Sequence, residues 1–148
     1  MIEPGFPKNE AQRQRALERY AILDTIEEES YDNLTALLAS ICEVPISLVS
    51  LLDKDRNFMK SHYGVRFNED PRQRSFCGHT IMQEGGVLIV PDATKDERFH
   101  DNPLVTEMGV RFYAGASLVD TQGLRLGALC VFGTEPKVLT DRQKKALS

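Results

Sequence analysis

The chain reads as an α+β domain, a mostly antiparallel sheet with helices laid on its faces. Three observations lead there. Two pairs of strand-length apolar runs, 46–52 with 58–63 and 111–119 with 125–133, are each joined by a short polar turn, and strands that follow one another through a tight turn are antiparallel by construction. Over 26–42 the apolar period changes to that of a helix. The 148 residues are 41% hydrophobic and 27% charged, the balance of one globular domain large enough to bury a core without a metal or disulfide staple.

Residues 1–8 hold two prolines and a glycine and no periodicity, so they read as a loose tail ahead of a single domain over 9–148. Residues 9–20 are strong helix formers with Asn9 placed to cap, which predicts a short, exposed lead helix. Thr25 and Glu28 stand in capping-box register, and Tyr31, Leu34, Leu37, Leu38 and Ile41 follow at helical spacing; a second helix over 26–42 would lay that stripe on the sheet. The run 46–52 is apolar on both alternating sets, the mark of a central strand covered on both sides. A turn at 53–57 leads into the strand 58–63, and the polar segment 65–74 with Pro71 reads as loop. A short helix over 75–83, capped by Ser75 and stopped by Gly85 and Gly86, precedes a short strand at 87–90. Residues 92–110 then form a long loop with a turn near 94–97, of a length that is usually functional. The closing hairpin, 111–119 and 125–133, is followed by a helix over 139–148 with Thr140 and Gln143 in capping-box register, which reads as cut from a longer protein.

Charge and composition narrow the function. Eighteen Lys and Arg against 22 Asp and Glu give a net charge of −4 with no basic cluster, so nucleic acid is not an expected partner. No run approaches the roughly 18 apolar residues of a membrane span, and the first residues lack the basic and apolar regions of a signal peptide. Three cysteines without a close pair read as free thiols in a reducing cytoplasm.

Seven stretches taken together are distinctive: YAILDT at 20–25, VPISLVSLLD at 44–53, SFCGHTI at 75–81, VPDA at 90–93 with Asp96, Arg98 and Phe99, DNPLV at 101–105, RFYAGA at 111–116 and LGALCV at 126–131. In this order the chain, over about residues 9–148, resembles a bacterial GAF domain. The resemblance implies a six-stranded antiparallel sheet of the PAS-related kind, helices on one face, and on the other a pocket covered by the short helix and the long loop. It also implies a non-catalytic sensory or regulatory module, a homodimer through its terminal helices, and a downstream output domain in the same chain, such as a histidine kinase, diguanylate cyclase or phosphodiesterase. A small-molecule ligand is a possible partner; its identity is open.

Cys77 sits just inside the cap of the short helix, where unpaired amides and the helix dipole favour a thiolate. His79 lies near, yet residues two apart on a helix do not face each other, so a buried, inert thiol competes with a thiol-dependent redox enzyme or redox sensor acting through Cys77. The adjacent Cys-His that anchors a bilin in GAF photoreceptors is interrupted here by Gly78, and the Asn-Lys-x-Phe-x-Asp-Glu constellation of cyclic-nucleotide binders is absent. Cys42, Cys77 and Cys130 lack the clustered spacing of the free methionine sulfoxide reductase, and His62, His79 and His100 show no metal-ligand spacing. Bilin, cyclic nucleotide and metal are therefore all argued against. The ligand candidates are Cys77, His79, Asp92, Arg98, Phe99, Arg111 and Tyr113, where the arginines would meet an acid and Phe99, Phe112 and Tyr113 would line a cavity. The competing reading has Asp92 and Arg98 simply pair or cap, tying the long loop to the sheet, and packs the aromatics as core.

Overall fold

A computed structural model describes residues 1–20 and 28–147. Six strands, β1 (Ile46–Leu52), β2 (Arg56–Tyr63), β3 (Glu69–Pro71), β4 (Val87–Val90), β5 (Phe112–Val119) and β6 (Arg125–Gly133), form one sheet in the order β3-β2-β1-β6-β5-β4. Every neighbouring pair is antiparallel. β1 is central, and six of its seven residues are buried, as its two-sided apolar pattern requires. The segment 65–74, expected as loop, supplies the short edge strand β3 and then a 3-10 turn over Arg72–Arg74. Pro71 fits at the end of an edge strand because no further partner needs its missing amide.

Helices α1 (Glu10–Tyr20), α2 (Glu29–Cys42) and α5 (Asp141–Leu147) cover one face; α3 (Phe76–Met82) and the single turn α4 (Pro103–Thr106) cover the other. Strand alternation divides the core accordingly. Leu48, Leu52, Tyr113, Ala128, Cys130 and Phe132 pack beneath α3, while Val49, Phe112, Ala114, Leu129 and Val131 pack under α2 and α5. The register slips between Val49 and Ser50, which pair with Ser61 and Met59, so Lys60 is the extra residue of a β-bulge. The bulge turns Lys60 and Ser61 to the same side, toward α2. Lys60 Nζ lies 2.9 Å from Glu28 and over the Tyr31 ring, and Ser61 Oγ donates to Asp32 at 2.6 Å and lies 3.0 Å from the Thr35 hydroxyl.

That polar anchoring corrects the expected face of the second helix. Thr35, Leu38, Ala39 and Cys42 are buried, whereas Leu34, Leu37 and Ile41 are 41%, 58% and 37% exposed. The helix begins at Glu29, and Glu28 caps it without a side-chain bond; Thr25 of the expected capping box lies outside the described residues. At the other terminus the capping box forms: Thr140 N donates to Gln143 Oε1 at 2.9 Å and Gln143 N to Thr140 Oγ1 at 3.2 Å.

The lead helix, expected to be exposed, is fastened by charge. Arg13 is wholly buried and donates to the carbonyls of Leu52, Arg125 and Leu126, at the ends of β1 and β6. Glu10 accepts from Arg13 Nε at 2.9 Å and from both terminal nitrogens of Arg72 at 2.6 and 2.9 Å. Burial of Glu10 works against its charge, but the bonds from Arg72, Arg13 and Gln14 outweigh it and lower its pKa to about 2. Since this folded-state value lies below the ordinary 4.5, the carboxylate stabilises the fold fully above that pH, and the contribution disappears as pH falls toward 2. Glu10→Gln is expected to cost on the order of 1–3 kcal/mol at neutral pH by leaving two buried guanidiniums short of an acceptor. Parallel thermal melts of variant and parent should show the gap close through that acid window; a gap independent of pH would contradict this role.

Candidate functional site

The α3 helix is held low over the sheet by both ends. Ser75 Oγ accepts from Gly78 N at 3.0 Å and donates to Arg72 O at 2.7 Å, the cap expected for this residue. Arg125 of β6 reaches the other end and donates to the carbonyls of Ile81 and Gln83 at 3.0 and 2.7 Å, satisfying acceptors that a short helix would otherwise leave bare. Beneath α3 the sheet carries small residues, Ser50, Gly115 and Ala128. At Gly115 a side chain is excluded outright, since its first carbon would stand 2.1 Å from the Tyr113 hydroxyl. The ring of Tyr113 therefore folds along its own strand and sets its hydroxyl 2.6 Å from Thr80 of α3 and 3.5 Å from the Cys77 sulfur.

A polar nest thus lies inside an otherwise apolar core. Cys77 and Cys130 are wholly buried free thiols with their sulfurs 3.5 Å apart. The Cys130 thiol beside it holds the Cys77 thiol below its ordinary pKa, against burial and with help from Tyr113, while burial and Cys77 itself push Cys130 well up. Burial also raises the Tyr113 phenol. Phe76 stacks on Phe99 with ring centroids 4.0 Å apart, and both are buried, so Phe99 is core. Phe112, expected to share a cavity with Phe99 and Tyr113, points to the opposite side of the sheet because it alternates with Tyr113.

His79 faces away from Cys77. Its Nε2–H donates to the Ile2 carbonyl at 2.9 Å, its ring meets Phe99 edge-on, and burial holds its pKa down. The first residues, expected as a loose tail, run across α3: Ile2 N donates to Arg98 O at 3.2 Å, Pro4 sits where a side chain on Gly78 would be, and the Arg72 guanidinium lies 4.4 Å over Phe6. Gly78, which separates Cys77 from His79 in the sequence, is thus the seat for Pro4.

The charged candidates are each bonded within their own segment of the long loop. Asp92 does not pair with Arg98; it caps a 3-10 turn over Ala93–Lys95, accepting from Thr94 N at 3.0 Å and the Thr94 hydroxyl at 2.6 Å, and that hydroxyl lowers its pKa. Arg98 instead grips Asp96 with two nitrogens at 3.0 and 2.8 Å, which holds Asp96 below the usual carboxylate range. Arg111 donates to the carbonyls of Val105 and Val110 at 2.9 and 3.0 Å and ties down the segment around α4. The long loop contained a readable start for that turn, Asn102 followed by Pro103, and Asn102 Oδ1 does accept from Leu104 N at 2.9 Å.

The cleft lies to one side of these residues. Between β1, β2 and β6 below and α3 and α4 above, Leu48, Met59, Phe76, Leu104, Met108 and Phe132 enclose a hollow of about 430 Å³ counted to its open mouth, with a water-accessible interior of about 30 Å³. None of the seven candidates lines it. Its polar lining includes Asn57, 4% exposed, whose Oδ1 has no hydrogen-bond partner, and Asp70 and Ser75, which are bonded within the protein. Asn57 is the second residue of β2, beside a charged turn, and would pass as a turn residue in the sequence. A wider hollow on the opposite face, about 1270 Å³ counted in the same way to its open mouth, is bounded by Tyr20, Glu28, Tyr31 and Leu118; Tyr20 and Glu28 flank in sequence the residues outside the described set, and no site is assigned there.

Comparison with known proteins accounts for this architecture. The family model of the GAF domain matches residues 27–148. The chain is 39% identical over 138 residues to cyclic di-GMP phosphodiesterase PA2567 of Pseudomonas aeruginosa, covering 93% of this chain and 23% of that protein, so it spans about a quarter of the relative's length. Among solved structures it is similar to the GAF domain of an Acinetobacter phosphoenolpyruvate-protein phosphotransferase, with a TM-score of 0.63 and 17% identity over 96% of this chain and 87% of that one. It is also similar to the blue-light absorbing form of the PixJ GAF domain of Thermosynechococcus elongatus, with a TM-score of 0.62 and 13% identity over 97% and 83% of the two chains. Among the described residues no helix is long and apolar enough to cross a membrane. The six-stranded sheet, the helices on one face and the α3 roof on the other follow from one conclusion: the chain belongs to the GAF family.

Proposed function

We propose that this GAF domain is a cytoplasmic, non-catalytic sensor that takes a small, mainly apolar ligand bearing a single hydrogen-bond donor into the cleft beneath α4. Its occupancy would bias a downstream signalling domain of the same protein, of the kind that the name of the Pseudomonas relative describes. The observation that carries the reading is the buried, unpartnered Oδ1 of Asn57 in an apolar cleft. An unsatisfied buried acceptor is costly, and a ligand donor would recover that cost. Apolar walls would supply affinity, and the one acceptor would set orientation. The enclosed interior is small, so a ligand larger than a few waters enters only as the 103–110 segment moves outward.

The exposed stripe on α2 supports a second part of the proposal. Leu34, Leu37 and Ile41 recur at the three-and-four spacing of a helix seam, on the side turned from the sheet, and suit a second copy of the chain. A homodimer formed there would join helices that run on the same face as both termini of the domain.

Native mass spectrometry of the chain purified from cell extract tests the first part. A retained neutral molecule is expected on the parent protein, and Asn57→Leu, similar in volume, is expected to weaken its binding about tenfold, the worth of one buried hydrogen bond. Equal retention by the variant would remove Asn57 from the site, and no retained mass in any preparation would favour a domain used as an empty scaffold. For the second part, Leu37→Glu is expected to convert a dimer to a folded monomer in sedimentation equilibrium, since Leu37 is 58% exposed in the single chain.

A further inference from the structure

We propose that Cys77 and Cys130 form a modification site, a dithiol that a small peroxide converts to a reversible disulfide joining α3 to β6. Neither the sensory reading nor its ligand cleft requires this pair.

The geometry carries the assignment. The sulfurs lie 3.5 Å apart, and a disulfide needs about 2.05 Å, so closure requires a movement of about 1.5 Å shared between two side chains and a short helix. The movement falls to a short helix: α3 is seven residues long, is capped by Ser75 and tied to β6 by Arg125, and has the small residues Ser50, Gly115 and Ala128 among those beneath it. The third cysteine, Cys42, belongs to the core on the other face of the sheet and offers no competing partner.

The surroundings divide the work between the two thiols. Cys77 has the Cys130 thiol and the Tyr113 hydroxyl each 3.5 Å from its sulfur, contacts that favour its thiolate, so it is the nucleophile of the pair. Cys130, buried and with a raised pKa, keeps its proton and acts second. Ser50, whose hydroxyl has no hydrogen-bond partner, also lies in this buried nest and adds a second polar group. Access comes through the cleft, because Phe76, the neighbour of Cys77 in α3, lines it. Its interior of about 30 Å³ admits a molecule the size of water or hydrogen peroxide, and larger reagents such as a dithiol enter as the 103–110 segment moves outward.

The steps balance. The Cys77 thiolate attacks one peroxide oxygen, the O–O bond breaks, and Cys77 becomes a sulfenic acid while hydroxide leaves and takes the proton that Cys77 gave up, forming water. The Cys130 sulfur then attacks the Cys77 sulfur. The S–O bond breaks, the S–S bond forms, and the departing hydroxide takes the Cys130 proton as a second water. Two thiols lose two electrons and two protons, and one peroxide becomes two waters; a small dithiol reverses the bond by exchange. The product pins the roof of the cleft to a central strand, which ties peroxide exposure to the mobility of the cleft.

The test uses the chain treated with stoichiometric hydrogen peroxide, then alkylated under denaturing conditions and digested for mass spectrometry. The expected result is a protein that loses two hydrogens, alkylates only at Cys42, yields a Cys77–Cys130 linked peptide, and recovers all three alkylation sites after dithiothreitol. Cys130→Ala is expected to stop at a sulfenic acid on Cys77 that dimedone traps, and to lose the rise in melting temperature that oxidation gives the parent. Alkylation of all three thiols after treatment, sulfinic acid at either cysteine of the parent, or a disulfide between two chains would each overturn the proposal. Because the parent protein alone gives these outcomes, the test survives a variant that fails to fold.

Discussion

The structure depends on the burial of the β1–β6 pair from both sides. A strand covered on two faces has no solvent to satisfy a misplaced polar group and no room for an extra side chain, so its residues must be apolar, small or bonded. β1 and β6 meet this with Leu48, Val49, Ser50 and Leu51 facing Cys130, Leu129, Ala128 and Gly127 in turn. The small residues gather on the α3 side, at Ser50, Ala128 and neighbouring Gly115, which lowers the sheet surface there and lets α3 sit close. The closeness brings Thr80 to Tyr113 and Cys77 to Cys130. The polar nest is a consequence of the small residues beneath it.

The two faces are joined by charge as well as by the sheet. Arg72 stands between them: its carbonyl accepts from Ser75, the cap of α3, and its guanidinium is held by Glu10 of α1. Glu10 in turn holds Arg13, which donates to the carbonyl of Leu52 at the end of β1. A contiguous set of hydrogen bonds therefore runs from the roof of the cleft to the first helix. In a module that converts occupancy of a cleft into movement of its helices, two states must differ in such contacts. The bulge at Lys60 plays the matching part for α2, since one inserted residue turns two consecutive polar side chains toward the helix.

The same features separate this domain's cleft from the places where charged side chains gather. Arg98, Arg111 and Asp92 spend their hydrogen bonds on loop closure, each within a few residues of itself. A long segment over 92–110 folded against a sheet carries many backbone carbonyls and amides that need partners, and arginines and aspartates are the side chains that reach them. The cleft is left to apolar walls, the internally bonded Asp70 and Ser75, and the amide of Asn57.

The sequence by itself determined what local chemistry controls. The closing hairpin turn with Gly123, the two-sided apolar run of 46–52, the Ser75 cap and the Thr140–Gln143 box all act within a few residues, and each appears in the structure. The order of the motifs was enough for the family. Tertiary structure alone decided the rest, because it rests on distances across the chain. Which face of α2 is buried depends on a bulge in β2, so Leu34, Leu37 and Ile41 look like core by period and are surface by contact. Phe112 and Tyr113 are neighbours in sequence and belong to opposite sides of the sheet. Cys77 and Cys130 lie 53 residues apart, and only the antiparallel return of β6 beside β1, under a low α3, brings their sulfurs together.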